Sequence, residues 1–459
     1  MDSNILRGKH VLVLGLGLHG GGLAVARWLV RQGVLVTVSD AKSRSELKPS
    51  IDKLGAQKIN FVLGGHPNSL LTRCDLIMQN PGVPRELPLL LAARARGIPI
   101  ENEASLFLKL CSAQLTLGVT GSKGKSSTTA LLGDMVQRHY RGTIIAGNIG
   151  DTVMFNVLDR VRPVTPVVLE LSSWHLELTG EHKLAPRIAV ITNVLPDHLN
   201  RYRSYADYAR AKQLIVRPQS ARDMAVLNYD DPIVRRMAKH TRAQVYWFSL
   251  SKVVPRGVYV AKGQVWWRAH GTRRALFKSS DLTVPGQHML ANALAAAAAA
   301  MVAKVPPANI RTAVRAWRGL HDRLELIRIV RGVAYYNDTA ATAPAAVQAA
   351  LAALQPRSLV LIAGGVDKGL RYDALARDIR RLANAVVLLP GSATAKLQRH
   401  LRGFKPQFLA SSMLAAVKLA SKLAPPQAVV VLSPGAASFN LFKHEFDRGQ
   451  AFRRVVARL

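Results

Sequence analysis

One short segment carries the residue types that hold the phosphates of a nucleotide. The run "GVTGSKGKSSTTALLG", residues 118–133, gathers glycines, lysines and hydroxyls in one loop. Glycines at 121 and 124 would let backbone N–H groups approach phosphate oxygens. Lys125 can reach the terminal phosphates, and the Ser126 hydroxyl can bind Mg²⁺. The general pattern G-x-x-x-x-G-K-[ST] is not met, because Gly118 lies one position too early, and a glycine turn with a solvated lysine is the alternative.

The flanking residues predict the elements that would position this loop. The preceding run "QLTLGVT" has the apolar, β-branched composition of a buried strand. The following run "SSTTALLGDMVQRH" has helical spacing with hydroxyls in its first turn. A helix that begins at the loop adds the partial positive charge of its N-terminus. Strand, loop and helix together therefore predict a phosphate-binding site.

Two further polar residues follow apolar strands and are candidates for a metal site. Glu170 ends the run "PVVLE", and His198 follows "RIAVITNV" within "LPDH". In an open α/β sheet, ligands bind outside the carboxyl ends of the strands, so these side chains should converge on the loop. With the Ser126 hydroxyl they would offer an oxygen- and nitrogen-rich set for Mg²⁺ bound to a triphosphate. A strand-end salt bridge for Glu170 and a capping or core role for His198 are the alternatives.

A second glycine-rich turn lies near the start of the chain. Residues 8–40 read as strand, Gly15-x-Gly17-x-x-Gly20, helix and strand, followed by Asp40. This is the order of a Rossmann unit, with the acidic residue where a ribose would be read. Alone it would suggest a dinucleotide oxidoreductase, but the same turn can hold any nucleotide diphosphate.

Length and pattern predict three α/β units in the 459 residues. We predict a Rossmann-like domain over residues 1–112, a central P-loop ATPase-like domain with a mainly parallel sheet over 113–318, and a second Rossmann-like domain over 319–459. The stretch "MLANALAAAAAAMVAKV" is too short for a membrane span and predicts a buried helix. Two cysteines, no disulfide framework and no signal-peptide pattern predict a cytoplasmic protein.

The formal net charge of +35 is extreme for an enzyme. Lysines and arginines are spread over the whole chain, without a basic tail or zinc-finger spacing. We interpret the charge as a surface suited to polyanionic substrates or as a bias of the host's proteome. Non-specific binding of nucleic acid would be a side effect, and contact with an anionic membrane surface is a further explanation.

A dozen short motifs follow one another along nearly the full length of the chain. In chain order these motifs are "GLGLHGGG", "NPGVP", "TGSKGKSSTT", "GNIG", "ELSSWHLE", "NVLPDHLNRY", "YARAKQLI", "LNYDDP", "PGQHMLANALAA", "NDTAAT", "GGVDKG" and "SPGAASFNLFKHEFDRG". In this order they give the chain a specific resemblance to the Mur ligase superfamily, in particular to its D-glutamate-adding branch.

The resemblance implies an ATP-dependent amide ligase of peptidoglycan precursor synthesis. The alanyl carboxylate of UDP-N-acetylmuramoyl-L-alanine would become an acyl phosphate, and the amine of D-glutamate would displace the phosphate. ATP and Mg²⁺, with two ions expected, are the implied cofactors. A monomer is expected, with small-molecule substrates as its partners.

The resemblance also implies roles for individual residues. The implied catalytic and metal-binding residues are Lys125, Ser126, Glu170, His198 and Lys212, the last as a carbamate. The implied ATP-binding residues are Gly121, Ser122, Lys123, Gly124, Lys125, Ser126, Ser127, Asn292, Arg323 and Asp338. The implied UDP-sugar-binding residues are Leu18, His19, Asp40, Asn80, Gly82 and Asn148. The implied amino-acid-binding residues are Thr342, Lys368 and Ser438. For Lys212 the alternative is an ordinary solvated helix lysine.

Some positions depart from the family pattern. Ala340 stands where the family has a lysine, which removes one contact for a carboxylate or phosphate. Asp322 separates His321 from Arg323, Met289 replaces an asparagine, and His175 replaces a glutamine.

Three alternative functions stay open at this point. One is a sister ligase that adds L-glutamate or L-alanine, or that resembles folylpolyglutamate-type enzymes. Another is an NAD(P)-dependent oxidoreductase that uses the glycine turn at residues 15–20 and Asp40, and the third is a basic nucleic-acid-binding protein. The oxidoreductase leaves the phosphate loop at residues 118–133 and the pair Glu170 and His198 unexplained. The nucleic-acid-binding protein leaves both glycine-rich loops unexplained.

Overall fold

A computed structural model describes residues 3–17, 20–55, 57–149, 152–197, 201–438 and 441–459. The strands, in chain order, are β1 His10–Leu14, β2 Leu35–Asp40, β3 Ile59–Leu63, β4 Leu76–Gln79, β5 Ile100–Glu101, β6 Thr116–Thr120, β7 Ile144–Gly147, β8 Val167–Glu170, β9 Ile188–Ile191, β10 Met224–Asn228, β11 Gln244–Ser249, β12 Gly257–Ala261, β13 Gln264–Ala269, β14 Thr272–Lys278, β15 Glu325–Val330, β16 Val333–Asn337, β17 Leu359–Gly364, β18 Ala385–Leu389, β19 Gln407–Leu409 and β20 Val429–Leu432.

The α-helices, in chain order, are α1 Gly21–Arg31, α2 Arg44–Leu54, α3 Pro88–Ala95, α4 Glu103–Leu110, α5 Lys125–Gln137, α6 Ser173–Glu181, α7 Tyr205–Gln213, α8 Pro232–Met237, α9 Gln287–Val302, α10 Pro307–Ala316, α11 Pro344–Ala353, α12 Asp373–Leu382, α13 Ser392–His400, α14 Met413–Leu423 and α15 Glu445–Val456. Short 3₁₀ turns, such as Met154–Asn156, join some of these elements.

In the described residues these strands form three sheets. The first has the order β3-β2-β1-β4-β5 and is parallel throughout. The second has the order β14-β13-β12-β11-β10-β9-β6-β8-β7, with an antiparallel extension at β12–β14. The third has the order β15-β16-β20-β17-β18-β19, and only its β15–β16 pair is antiparallel. The predicted α/β class with mainly parallel sheets is confirmed.

The chain divides into two compact units. One comprises Met1–Ser279 with Ala291–Ala313, and the other comprises Ser280–Leu290 with Val314–Leu459. The first unit contains the first two sheets, which lie on either side of residue 112 in the sequence, and the second unit contains the third sheet.

Apolar clusters on both faces hold the third sheet in place. In β17 the residues 359–362 are fully buried, with alternate side chains in two different apolar clusters. This pattern is typical of a parallel sheet covered by helices on both faces. Residues 293–300 of α9 are also fully buried, which confirms the predicted buried helix. Among the described residues, no helix has the length and apolar character needed to cross a membrane.

Candidate functional site

The phosphate loop has the predicted strand–loop–helix geometry. It joins β6 to α5, and Gly124 caps the helix with φ of 83°, a left-handed conformation that favours glycine. A Cβ at Gly124 would lie 2.1 Å from Oδ1 of Asn292. Glycine is therefore required here both by the backbone and by the close approach of α9. The same approach brings Asn292, an implied ATP-binding residue, to the start of α5.

Two residues after β9 support the loop, and the sequence interpretation did not name them. Thr192 donates its hydroxyl to the Lys123 carbonyl at 2.7 Å. Asn193 accepts from the Lys123 N–H at 2.9 Å and donates to the Lys123 carbonyl at 3.0 Å. A Cβ on Gly121 would lie 1.9 Å from the Thr192 hydroxyl, so glycine is needed for this packing. The signal was present in the motif "ITNVLPDH", where polar residues directly follow a buried strand.

Two lysine ammonium groups meet at one backbone carbonyl of this loop. The Nζ of Lys125 lies 3.1 Å from the Gly121 carbonyl oxygen, and the Nζ of Lys212 lies 2.8 Å from the same atom. Lys212 is 1% exposed, and its ammonium sits 4.6 Å from the centre of the Tyr208 ring. Burial, assisted by the neighbouring Lys125 charge, lowers the pKa of Lys212 to about 7. The structure thus excludes the alternative of a solvated helix lysine.

The remaining residues of the loop are held in place by short contacts. The Ser122 hydroxyl lies 3.1 Å from the Tyr208 hydroxyl and accepts from the Leu195 N–H at 2.9 Å. Lys123 pairs with Asp197 at 3.1 Å. Ser127 is buried in the first turn of α5, whereas Ser126 beside it is partly exposed.

Glu170 lies on the strand next to the phosphate loop. It ends β8, its Cα pairs with that of Val119 in β6, and it is 1% exposed. Asn148 donates its side-chain amide to Oε1 of Glu170 at 3.1 Å. The Glu170 carboxylate is buried next to α5, the helix that carries the Ser126 hydroxyl. Both groups offer oxygen ligands, which Mg²⁺ prefers, so these residues fit the implied ion. His198, another of the predicted metal ligands, lies outside the described residues.

In the first sheet, Asp40 is oriented by the glycine turn. Its Oδ2 accepts the N–H groups of Leu16 at 2.9 Å and Gly17 at 3.2 Å. Asn80 directly follows β4, on the other side of β1, and its Oδ1 accepts the Gly82 N–H at 3.1 Å. Asp40 ends β2 and Asn80 follows β4, and both strands pair with β1, so the two residues lie at the same edge of the first sheet. The predicted residues Leu18 and His19 lie outside the described residues.

In the second unit, Asp338 follows β16 and is 5% exposed. Its carboxylate accepts the Ser433 hydroxyl at 2.7 Å and the Leu324 N–H at 3.1 Å. Burial raises the pKa of Asp338 to about 7, while these hydrogen bonds and the Arg323 charge act in the opposite direction. Arg323 and Asp338, both implied nucleotide-binding residues, are therefore electrostatic neighbours.

Two of the three predicted amino-acid-binding residues contact each other. The Lys368 Nζ donates to the Thr342 hydroxyl at 3.0 Å. Ser438 is 2% exposed, and among the described residues its hydroxyl has no hydrogen-bond partner. It follows Ala437, which pairs with Val366 two residues before Lys368.

Arg448 is a buried residue of this region that the sequence interpretation missed. It is 1% exposed and donates to the hydroxyl and the carbonyl of Thr339, both at 3.0 Å, and to the Ala436 carbonyl at 3.1 Å. It ties the loop of Thr342 to the loop of Ser438. Burial lowers the pKa of Arg448 to about 10. Its position within "FDRG" offered no signal for this contact.

One departure from the family pattern has a local structural role. The His175 ring lies 3.4 Å from the Ser172 N–H, and the Ser172 hydroxyl accepts the His175 N–H at 3.2 Å. Together they form a capping box at the start of α6. Burial lowers the pKa of His175 to about 4, so the ring is neutral at physiological pH.

Comparison with known families places all three sheets in one class of protein. The chain has a multidomain α/β fold with a phosphate loop, and three family models match its sequence. The MurD-like N-terminal domain of Mur ligases matches residues 9–102, the Mur ligase middle domain matches 119–300, and the Mur ligase glutamate ligase domain matches 322–435. The chain belongs to the Mur ligase family. This membership favours a ligase over the oxidoreductase and nucleic-acid-binding alternatives.

Curated relatives match over the full length. A UDP-N-acetylmuramoylalanine–D-glutamate ligase of Roseiflexus sp. (strain RS-1) is 44% identical over 466 residues, covering 98% of this chain and 99% of the relative. A ligase of the same name from Acidobacterium capsulatum is 38% identical, covering 98% and 96%.

Solved structures share the fold at low sequence identity. The UDP-N-acetylmuramate-alanine ligase MurC of Thermotoga maritima matches with a TM-score of 0.59 at 21% identity, covering 98% of each chain. The MurF ligase of the same organism, solved with ADP, matches with a TM-score of 0.57 at 16% identity, covering 100% of this chain and 97% of that one. The Mur ligase fold inferred from the motifs is thus confirmed.

Proposed function

We propose that this chain is an ATP-dependent ligase that joins D-glutamate to UDP-N-acetylmuramoyl-L-alanine in peptidoglycan precursor synthesis. The observation that carries the proposal is the loop between β6 and α5, where Lys125 and Lys212 meet at the Gly121 carbonyl beside the end of β8. The full-length relatives that bear this name support the choice of substrates.

The reaction needs two displacement steps. An alanyl carboxylate oxygen attacks the γ-phosphorus of ATP, the bond to the β-phosphate oxygen breaks, and ADP leaves. The amine of D-glutamate then attacks the acyl carbon, loses a proton, and phosphate departs from the tetrahedral intermediate. Activation replaces a poor leaving group by a good one, and the protein contributes mainly positioning and charge neutralisation.

We assign the phosphoryl-transfer role to the start of α5. Lys125, with the backbone N–H groups of the loop, would bind the terminal phosphates and offset the charge that builds up during transfer. Ser126 and Glu170 would hold Mg²⁺, with His198 as a further assigned ligand. When bound, the ion would neutralise phosphate charge and orient the triphosphate.

Lys212 is assigned a carbamate, as the family resemblance implies. Its lowered pKa of about 7 leaves a substantial fraction of neutral amine at physiological pH. A neutral amine can add to CO₂, form a carbamate and release one proton. The change converts a buried cation into an anion, which a neighbouring Mg²⁺ and the Lys125 charge would stabilise.

The remaining assignments follow the order of the sheets. The sugar nucleotide is assigned to the first sheet and to Asn148, by way of Leu18, His19, Asp40, Asn80 and Gly82. Asn292, Arg323 and Asp338 are assigned to ATP. The carboxylates of D-glutamate are assigned to Lys368, Thr342 and Ser438, because a lysine with two hydroxyls suits such groups. A monomer in the cytoplasm is proposed, which agrees with the free thiols of Cys74 and Cys111.

One departure from the family pattern bears on the identity of the acceptor. Ala340 cannot supply the cation that the family places at this position, so a sister ligase with L-glutamate or L-alanine as acceptor is the alternative.

Trapping of the acyl phosphate tests the activation chemistry separately from the acceptor. Purified protein would be incubated with ATP, Mg²⁺ and UDP-N-acetylmuramoyl-L-alanine, without an amino acid but with hydroxylamine. We expect ADP release and a hydroxamate of the sugar nucleotide, detected by mass spectrometry. Hydroxamate formation that is independent of ATP, or its complete absence, would contradict the proposed activation.

A further inference from the structure

Arg323 lies between two residues with unusual backbone conformations. Asp322 has φ of 64° and Leu324 has φ of 42°, both in the left-handed region. Side chains other than glycine seldom adopt this region, and it persists where surrounding contacts hold it. The contacts that hold residues 322 and 324 therefore fix the direction in which Arg323 leaves the backbone.

Asp322 is buried and is held by a cluster of polar side chains that includes Arg453 of the last helix. Its Oδ1 accepts the side-chain amide of Asn337 at 2.8 Å and the guanidinium of Arg453 at 2.8 Å. The same Arg453 nitrogen lies 2.6 Å from Oε2 of Glu325, which also accepts the Asp322 N–H at 2.8 Å. Arg453 thus supplies the positive charge to a carboxylate pair, and it lies 131 residues from Asp322 in the sequence.

The helix α15 is shaped to fit this cluster. A Cβ on Gly449 would lie 2.2 Å from Oδ1 of Asp322, so glycine leaves the space for that carboxylate. Gly449 and Arg453 are four residues apart and therefore share one face of the helix. His321 completes the group, with its Nδ1 3.0 Å from Asp322 and 2.9 Å from Arg453. The three side chains contact the same terminal nitrogen of the Arg453 guanidinium, and the two carboxylates make the cluster an ion-pair site.

Asp322 and Leu324 are both fixed to the end of β16. Asn337 contacts the side chain of Asp322, and the next residue, Asp338, accepts the N–H of Leu324. The Asp322 carbonyl also accepts the N–H of Ala340 at 3.0 Å. A change at Asp322 would therefore displace Arg323 relative to Asp338.

We propose that Arg453 is a positioning residue for ATP. It holds Asp322 and thereby presets Arg323 beside Asp338 before the nucleotide binds. The inference rests on the proposed function, because it uses the assignment of Arg323 and Asp338 to ATP.

The test compares the Kd of an ATP analogue and the KM values for ATP and D-glutamate in matched variants. Arg453→Met removes the charge, Arg453→Lys keeps it on a different side chain, and Arg454→Met changes an exposed neighbour on the same helix. We expect Arg453→Met to raise both the Kd of a fluorescent ATP analogue and the KM for ATP about tenfold. The KM for D-glutamate should stay within about twofold, and Arg453→Lys should recover part of the loss. Arg454→Met should behave as the wild type.

A second variant keeps the test decisive if Arg453→Met does not fold. The double variant Asp322→Asn with Arg453→Met leaves no unpaired Asp322 carboxylate, and circular dichroism would verify its fold. We expect its KM for ATP to rise about tenfold over that of the wild type, as predicted for Arg453→Met, because the two residues act as one unit. The inference would be overturned if a folded variant had a KM for ATP within about twofold of the wild-type value. It would also be overturned if the KM values for ATP and D-glutamate rose equally. A wild-type protein that does not bind the ATP analogue would instead count against the proposed function.

Discussion

At the scale of single residues, Lys125 carries the clearest functional prediction. Its Nζ is held over the Gly121 and Ser122 carbonyls, both at 3.1 Å, at the start of α5. Lys125→Ala should lower kcat about 10²–10³-fold, because one preorganised cation at the transferring phosphoryl group is lost. Steady-state ADP release measures the effect, with Lys422→Met, an exposed lysine of α14, as the control. Equal loss in both variants, or none in Lys125→Ala, would contradict the assignment.

Glu103 carries a prediction about pH and stability. It begins α4 and accepts the Met154 N–H at 2.6 Å, and burial raises the pKa of its carboxyl to about 7. A raised pKa means that the folded state binds more protons than the unfolded state between pH 4.5 and 7. The stability that Glu103 contributes is therefore present at low pH and is lost as the pH rises through 7.

The variant Glu103→Gln should lack this pH dependence. Between pH 5.5 and 8, the free energy of unfolding of the wild type should fall by about 2 kcal/mol relative to that of the variant. Urea unfolding at the two pH values measures the difference. Glu86→Gln, at an exposed position, serves as the control and should follow the wild type. If the free energy of unfolding changed with pH in the same way in the wild type and in Glu103→Gln, burial would not raise the pKa of this carboxyl.

At the scale of elements, Gly142 provides a control position for Gly124, the capping glycine of α5. Gly124 and Gly142 have nearly the same φ, 83° and 84°, but only Gly124 has a neighbour within reach of a Cβ, namely Asn292. Either change to alanine should cost about 1–2 kcal/mol of stability for the left-handed backbone. Gly124→Ala should in addition lose most ATP turnover, because the added methyl group would push the phosphate loop and Asn292 apart.

Thermal melting and ADP release distinguish the two effects. Gly142→Ala should keep its turnover within about twofold of the wild type while its melting temperature falls. Unchanged turnover in Gly124→Ala would mean that the contact between the loop and α9 does not matter for the reaction.

The elements also show how far sequence reasoning reaches. The strand, loop and helix around Lys125 could be predicted, because glycine, lysine and hydroxyl spacing is local information. The helix α9 could be predicted from its alanine run. The contact of Lys212 with Gly121, 91 residues away, and that of Arg453 with Asp322 could not, because such contacts depend on how whole elements pack. The capping role of His175 was missed although its partner Ser172 is only three residues away.

At the scale of the whole molecule, the charge has a measurable consequence. With 63 lysines and arginines against 28 acidic residues, the protein should bind duplex DNA through phosphate contacts alone. Binding should be equal for two unrelated DNA sequences and should weaken steeply as salt rises from about 0.05 to 0.2 M. Fluorescence anisotropy at several salt concentrations measures both properties. A clear preference for one sequence would point to a specific nucleic-acid function.

The central claim concerns the whole reaction, and phosphate release tests it most directly. Purified protein would receive ATP, Mg²⁺ and UDP-N-acetylmuramoyl-L-alanine, with D-glutamate, L-glutamate, L-alanine or no amino acid. We predict release that depends on D-glutamate, which would also show that Ala340 is tolerated at its position. Release only with another amino acid would contradict the proposed acceptor, and no release with any of them would contradict the ligase assignment itself.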